Sequence, residues 1–167
     1  MKKSQVLSIT QAALIAAMYV ALTMLSNAVG LASGVIQVRI SEALTILPYF
    51  TPVAIPGLFV GCLLSNILAG GVVWDVIFGS LATLIGAVCT YWLRKVKWLA
   101  PVPPIVSNML IIPFVLRYAY GAPDSLPFMM LTVGAGELIS AGVLGMLLLL
   151  ALEKYRHVIF KPLKPSK

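Results

Sequence analysis

Long apolar stretches without a charged residue recur along the whole chain, and they constrain its fold more than any other feature. Hydrophobic residues make up 60% of the 167 residues and charged residues only 10%, and the mean hydropathy is +1.02. A helix needs roughly 20 apolar residues to cross a hydrocarbon core about 30 Å thick. The composition therefore predicts a helical membrane protein and excludes an ordinary soluble domain.

The number of membrane crossings depends on the stretch 35–73, which Pro48, Pro52 and Pro56 interrupt. If this stretch crosses once, the basic cluster at Arg94 lies on the side opposite the N-terminal lysines. If it crosses twice, nearly all basic residues share one side, as the positive-inside rule favours. We therefore predict one all-α membrane domain, residues 1–167, with both termini cytoplasmic. The six expected transmembrane helices lie at about residues 7–31, 35–50, 53–73, 76–93, 102–117 and 127–152.

Small residues form a stripe along the first predicted helix, where Ala13, Ala17 and Ala21 recur every four residues. Such a stripe makes one face of a helix nearly flat, so another helix can approach it closely. The partner could be a helix of the same bundle or a second membrane protein. The alanine pattern alone leaves both possibilities open.

Ionisable side chains within the apolar spans are candidates for ligand binding, because a charge at membrane depth costs at least a few kcal/mol. Glu137 lies inside the last span and is expected to face the bundle interior. There it either contacts a ligand or pairs with Arg39 or Arg117. Arg39 and Glu42, three residues apart, share a helical face at the outer end of the second span and could also pair with each other.

Further candidates lie at the predicted outer ends of the spans. Asp75 follows Trp74, and an aromatic ring beside a carboxylate could stack on and hydrogen-bond a flat heterocycle. A tryptophan at this depth is equally typical of the aromatic belt at the membrane interface. Asn108, which could instead cap the start of the fifth span, and Tyr118 at its outer end complete the set.

Patterns typical of catalysis or metal binding are not found in the sequence. Cys62 and Cys89 are isolated within apolar runs, and there is no HExxH, GxSxG or phosphate-binding loop. The net charge of +7 fits membrane topology better than nucleic-acid binding, because the basic residues lie in short clusters between spans. We expect neither enzymatic activity nor a bound metal or cofactor.

Several short segments carry a specific resemblance that covers nearly the whole chain. They are RISEAL at 39–44, Ser65-Asn66, DVIFGSLATLIGA at 75–87, Ser107-Asn108 and Gly136-Glu137. In these segments the chain resembles the QueT family, whose members are S components, the substrate-binding subunits of energy-coupling factor transporters. The resemblance implies a six-helix S-component fold with the substrate near the outer face, under the loops that follow the first, third and fifth helices.

The resemblance also implies the ligand and roles for individual residues. The ligand would be a queuosine precursor, a 7-deazaguanine such as pre-queuosine or queuine. Glu137 or Asp75 would accept the N1–H and amino group of its guanine-like edge, and Asn108 would contact the carbonyl oxygen. Trp74 or Tyr118 would stack on the ring, and a second carboxylate would meet the aminomethyl cation if that precursor is the ligand.

The partners follow from the same resemblance. The alanine stripe would dock on a transmembrane coupling subunit bound to two ATPases, so that ATP is used only by the partner subunits. Three alternatives remain open. The chain could be an S component for another vitamin, or a stand-alone carrier in which Glu137 and Asp75 relay protons. A small membrane enzyme is the third, although no nucleophile and base are found together.

Overall fold

The computed structural model describes residues 3–32 and 35–159, which form helices joined by turns and loops, without a strand. The prediction of an all-α membrane bundle is therefore confirmed. A long 3₁₀ helix at Ile40–Tyr49, a short one at Lys97–Leu99 and a π-helical segment at Leu138–Leu144 interrupt the regular pattern. The α-helices are α1 (Lys3–Ala28), α2 (Ala54–Leu68), α3 (Val73–Trp92), α4 (Val102–Tyr118), α5 (Leu126–Glu137), α6 (Gly145–Lys154) and α7 (Arg156–Ile159).

Helical stretches long and apolar enough to cross a membrane number four among the described residues, and α2 is apolar but shorter. The predicted second span, 35–50, differs most from expectation. It contains a ten-residue 3₁₀ helix whose residues Ser41 to Pro48 are all buried. At about 2.0 Å per residue, such a helix is roughly 20 Å long. Because neighbouring helices surround it, this segment tolerates polar residues and Pro48 that a lipid-facing helix would not. The four long stretches are Gln5–Ala28, Val73–Trp92, Lys97–Tyr118 and Leu126–Lys154.

Contacts between chain segments show that the 3₁₀ helix runs from one end of the bundle to the other. The backbone N–H of Ile40 donates to Ser26 Oγ near the end of α1, at 2.9 Å. Tyr49, at the other end of the 3₁₀ helix, lies 3.5 Å from Glu153 in α6. We call the end near Ser26 the cavity end and the end near Glu153 the basic end. Described residues at the basic end include Arg94, Lys95, Lys97, Lys154 and Arg156.

Three α-helices finish at the cavity end in the same way, each followed by a glycine with positive φ. The φ angles are 76° at Gly30, 75° at Gly70 and 68° at Gly121. A left-handed residue just beyond a helix lets the next N–H groups bond back to the last carbonyls, as Gly71 N–H does to Asn66 O at 2.9 Å. The chain therefore turns sharply after α1, α2 and α4, and three loops gather at this end.

Close packing between α1 and α2 depends on two glycines of α2. A Cβ atom added at Gly57 would lie 2.7 Å from Ala12 O, and one at Gly61 would lie 2.8 Å from Tyr19 Cβ. The face of α1 that contains Ala12 and Ala16 is thus used for packing within the bundle. The stripe predicted for docking lies on a different face and is exposed, at Ala13, Ala17 and Ala21.

Candidate ligand-binding site

Two adjoining cavities open into the bundle at its cavity end. The larger, which we call the outer cavity, has a volume of about 570 Å³. The smaller, the inner chamber, lies deeper in the bundle and has a volume of about 40 Å³. Gln37, Arg39 and Ile112 line both, so the two spaces share a wall. The inner chamber is further lined by Glu42, Cys62, Gly79, Thr83, Asn108, Val133 and Glu137.

The rim of the outer cavity comes from the three loops at this end. Gln37 belongs to the loop after α1, Gly70 and Gly71 to the loop after α2, and Tyr120 to the loop after α4. If the long 3₁₀ helix is counted as the second segment of the bundle, α1, α2 and α4 are the first, third and fifth segments. These loops therefore follow the first, third and fifth segments. The three loops that were expected to close over the substrate thus surround the outer cavity.

Asp75 provides a buried carboxylate to the outer cavity. It lies in the first turn of α3, where the helix dipole stabilises a negative charge, and only 7% of its surface is exposed. Tyr120 donates its hydroxyl proton to Asp75 Oδ2 at 2.9 Å and accepts from the N–H of Val72 at 3.3 Å. Partial burial raises the pKa of Tyr120, with a smaller contribution from the Asp75 carboxylate. The hydroxyl therefore stays protonated at neutral pH and holds Asp75 in place.

Arg39 reaches the same cavity through a different polar network. Its Nη1 donates to Asn66 Oδ1 at 3.4 Å, and Asn66 Nδ2 donates to the backbone oxygen of Asp75 at 3.3 Å. The sequence left open whether Arg39 pairs with Glu42, and no ion pair within 4.0 Å joins them in the described structure. Arg39 thus keeps guanidinium N–H groups that a ligand can use.

The inner chamber contains two glutamates, each with one oxygen bonded and one oxygen free. Tyr19 donates to Glu42 Oε1, and Asn108 Nδ2 donates to Glu137 Oε1 at 2.9 Å. The Oε2 atoms of both glutamates are buried and have no hydrogen-bond partner among the described residues. Such atoms are rare in native proteins, because an unpaired buried acceptor costs about 1–3 kcal/mol. They are therefore suited to a ligand that brings hydrogen-bond donors.

The backbone around Glu137 explains how this side chain reaches the chamber. A side chain at Gly136 would overlap Gln37 O, so α5 and the loop after α1 touch through their backbones there. The π-helical segment starts directly after Glu137, and such widened turns are frequent at functional sites. Glu137 is therefore interior, as predicted, but it pairs with neither Arg39 nor Arg117, whose Nη1 donates to Asp124 O at 2.6 Å.

Trp74 and Tyr118 do not line either polar cavity, contrary to the prediction that one of them stacks on the ligand. Trp74 is 59% exposed and Tyr118 is 77% exposed. They stack instead on Phe78 and Phe114, with ring centroids 5.9 and 6.4 Å apart. All four rings line a separate apolar groove between α3 and α4. These positions agree with the alternative of an interfacial aromatic belt.

Several polar residues around the cavities are absent from the predicted site, among them Tyr19, Gln37, Asn66 and Tyr120. Asn66 carried a usable signal, since an amide near the end of an apolar span needs partners. Tyr19 did too, because it is the aromatic residue of α1 and a buried tyrosine hydroxyl usually needs a hydrogen-bond partner. Gln37 and Tyr120 lie in loops, where polar residues are common. Only the folded chain distinguishes them.

Comparison with known proteins identifies relatives. The model of the QueT transporter family matches residues 9–154. The queuosine precursor transporter QueT of Lactococcus lactis subsp. cremoris (strain MG1363) is 41% identical over 86 residues, which are 51% of this chain and 50% of that protein. The aligned region thus spans about half the length of the curated relative. No solved structure matches the chain. Because the family model covers most of an apolar helical bundle, the chain belongs to the QueT transporter family.

Proposed function

We propose that this protein is the S component of an energy-coupling factor transporter and captures a 7-deazaguanine precursor of queuosine at its cavity end. The observation that carries the proposal is the outer cavity of about 570 Å³, which combines a buried carboxylate with an arginine. Small-molecule sites typically occupy about 300–1,000 Å³ and contain a few well-placed polar groups. The name of the Lactococcus relative supplies the substrate class.

The charge distribution supports an outward-facing cavity. The basic end contains Arg94, Lys95, Lys97 and Lys154, whereas Arg39 and Arg117 lie towards the cavity end. Basic residues favour the cytoplasmic side of a membrane. This orientation puts both ends of the described chain in the cytoplasm, since α1 begins and α6 ends at the basic end.

The outer cavity can recognise the guanine-like edge of a deazaguanine. A carboxylate accepts two parallel N–H groups well, so Asp75 would bind the N1–H and the amino group. Arg39 would donate to the carbonyl oxygen with the guanidinium N–H groups that Asn66 leaves unused. Asn108, to which the resemblance gives that role, donates to Glu137 in the inner chamber, so Arg39 is the better-placed donor.

Isothermal titration calorimetry on the purified protein in lipid nanodiscs tests the ligand class. We expect saturable binding of 7-deazaguanine precursors and weaker binding of guanine. Riboflavin, thiamine and biotin serve as the comparison panel. Binding of one of those vitamins in place of the deazaguanines would support the alternative of a different S component. Uptake into cells that lack every energy-coupling ATPase would support a stand-alone carrier.

The exposed alanine stripe is proposed to dock on the coupling subunit, with ATP hydrolysed by two partner ATPases. An apolar groove of about 390 Å³ lies beside Ala13 on the α1–α2 face. Ala17→Leu should abolish co-purification with the coupling subunit and ATPases while leaving ligand binding intact, because the added side chain obstructs close helix approach. Ala151→Leu, at an exposed position of α6, is the matched control and should co-purify normally.

A further inference from the structure

Acidic side chains outnumber basic ones around the two cavities. The chain has five acidic and twelve basic residues, yet three of the five acidic residues line these cavities, where Arg39 supplies the positive charge among the lining residues. The acidic residues are Asp75 in the outer cavity and Glu42 with Glu137 in the inner chamber. Buried charges that lack a counter-charge are costly. A positively charged ligand group would therefore be bound favourably in this place.

The sizes of the two spaces indicate where such a group would sit. The inner chamber of about 40 Å³ is too small for a bicyclic ring, because a cavity needs roughly 10–15 Å³ to hold a single water. It has room for a substituent of two or three non-hydrogen atoms. The outer cavity accommodates a ring. Since Gln37, Arg39 and Ile112 line both spaces, a ring in one could extend a substituent into the other.

The hydrogen-bonding groups of the inner chamber define the substituent further. The two Oε2 atoms of Glu42 and Glu137 are buried acceptors without a partner. A primary ammonium group offers three donors and no acceptor, and it also carries the missing positive charge. A nitrile has no donor and no charge, so it would leave both carboxylate oxygens unpaired.

We propose that the inner chamber is an ammonium subsite, in which Glu42 and Glu137 bind the aminomethyl group of a 7-aminomethyl-7-deazaguanine. The chamber then selects this cationic precursor over the neutral 7-cyano form. The inference rests on the proposed function, since it assumes that a deazaguanine ring occupies the outer cavity. It assigns Glu42 and Glu137 to the substituent and Asp75 to the ring.

Calorimetry with both ligands tests the subsite. We expect the wild-type protein to bind the aminomethyl form roughly 10- to 100-fold more tightly than the cyano form, which is the range for hydrogen bonds to charged groups. Glu137→Gln and Glu42→Gln should each remove most of this preference by weakening the aminomethyl complex alone. Asp75→Asn is the matched control and should weaken both complexes by a similar factor, since it contacts the ring.

A neutral ligand analogue makes the test independent of protein folding. The 7-hydroxymethyl compound has nearly the same size as the aminomethyl form but lacks its charge. It should bind the wild-type protein more weakly than the aminomethyl form and no more weakly than the cyano form, because it offers one donor and no charge. Equal affinity for the aminomethyl, hydroxymethyl and cyano forms would overturn the ammonium subsite and leave the proposed function intact. Failure of all three to bind would overturn the proposed function itself, and the subsite with it.

Discussion

The α3–α4 pair separates two spaces of similar size but opposite chemistry, an apolar groove that faces lipid and the outer cavity that faces the bundle interior. The groove on the outside, about 420 Å³, is lined by aromatic and aliphatic side chains. The outer cavity, about 570 Å³, is lined by Asp75, Asn66 and Arg39. Trp74 and Asp75 are consecutive in the chain, yet they lie on opposite sides. In a membrane protein lipid tails can fill an apolar groove, so buried polar atoms locate a ligand site better than volume does.

The largest expected effect is at Asp75. Asp75→Asn should weaken deazaguanine binding roughly 10- to 100-fold, because it removes about 1.5–3 kcal/mol of charge-assisted hydrogen bonding. Calorimetry on the purified variant measures the change. The matched control is Trp74→Ala, which alters the apolar groove between α3 and α4 and should change the affinity less than about twofold. If Trp74→Ala weakened binding more than Asp75→Asn, the ligand would occupy the apolar groove instead of the outer cavity.

A second comparison of inner and outer faces concerns α1. Gly61→Val should destabilise the bundle by about 1–3 kcal/mol, the usual cost of overpacking, because its Cβ would lie 3.0 Å from Ala16 Cα. Ala17→Val adds volume on the exposed face of α1 and should leave the stability nearly unchanged. Thermal unfolding in detergent compares the two. Equal melting temperatures for both variants would contradict the close α1–α2 packing.

A smaller effect on ligand binding is expected for the two tyrosines at the cavity end of α4, Tyr118 and Tyr120. Tyr120→Phe removes the hydroxyl that donates to Asp75 Oδ2, and one such bond contributes about 0.5–1.5 kcal/mol. We expect ligand binding to weaken roughly fivefold. Tyr118→Phe removes a hydroxyl from an exposed side chain and serves as the control, with unchanged affinity. A larger loss for Tyr118→Phe would place the ligand beside the outer aromatic rings.

The smallest expected effect is on the fluorescence of Trp74. The chain has three tryptophans, so Trp92→Phe with Trp98→Phe leaves Trp74 as the single emitter. Brominated lipids should quench its emission, because this side chain is 59% exposed on the outside of the bundle. Saturating deazaguanine should leave the emission spectrum nearly unchanged. A strong ligand-dependent shift would indicate direct stacking of the indole on the ligand.

Much of the fold could be predicted because membrane insertion constrains sequence strongly. Apolar length and the position of basic residues predict a helical bundle, and Glu137 had to face inward since lipid does not solvate a carboxylate. The form of the segment around Glu42 could not be predicted. Runs of 3₁₀ helix longer than about four residues are uncommon, and this one is stable because its neighbours bury Ser41 to Pro48.

The sequence by itself therefore determined that this protein folds in a lipid bilayer, that it is helical, and which few polar residues need partners. Only the tertiary structure decided which of those residues meet. Trp74 and Asp75 were both candidates for a ligand site from the sequence, but the orientation of α3 in the bundle puts them on opposite sides. Likewise, Glu42 and Glu137 lie 95 positions apart in the chain, and only the packing of the 3₁₀ helix against the π-helical segment that follows Glu137 brings them to one chamber. Such contacts depend on how helices pack, which local sequence patterns do not encode.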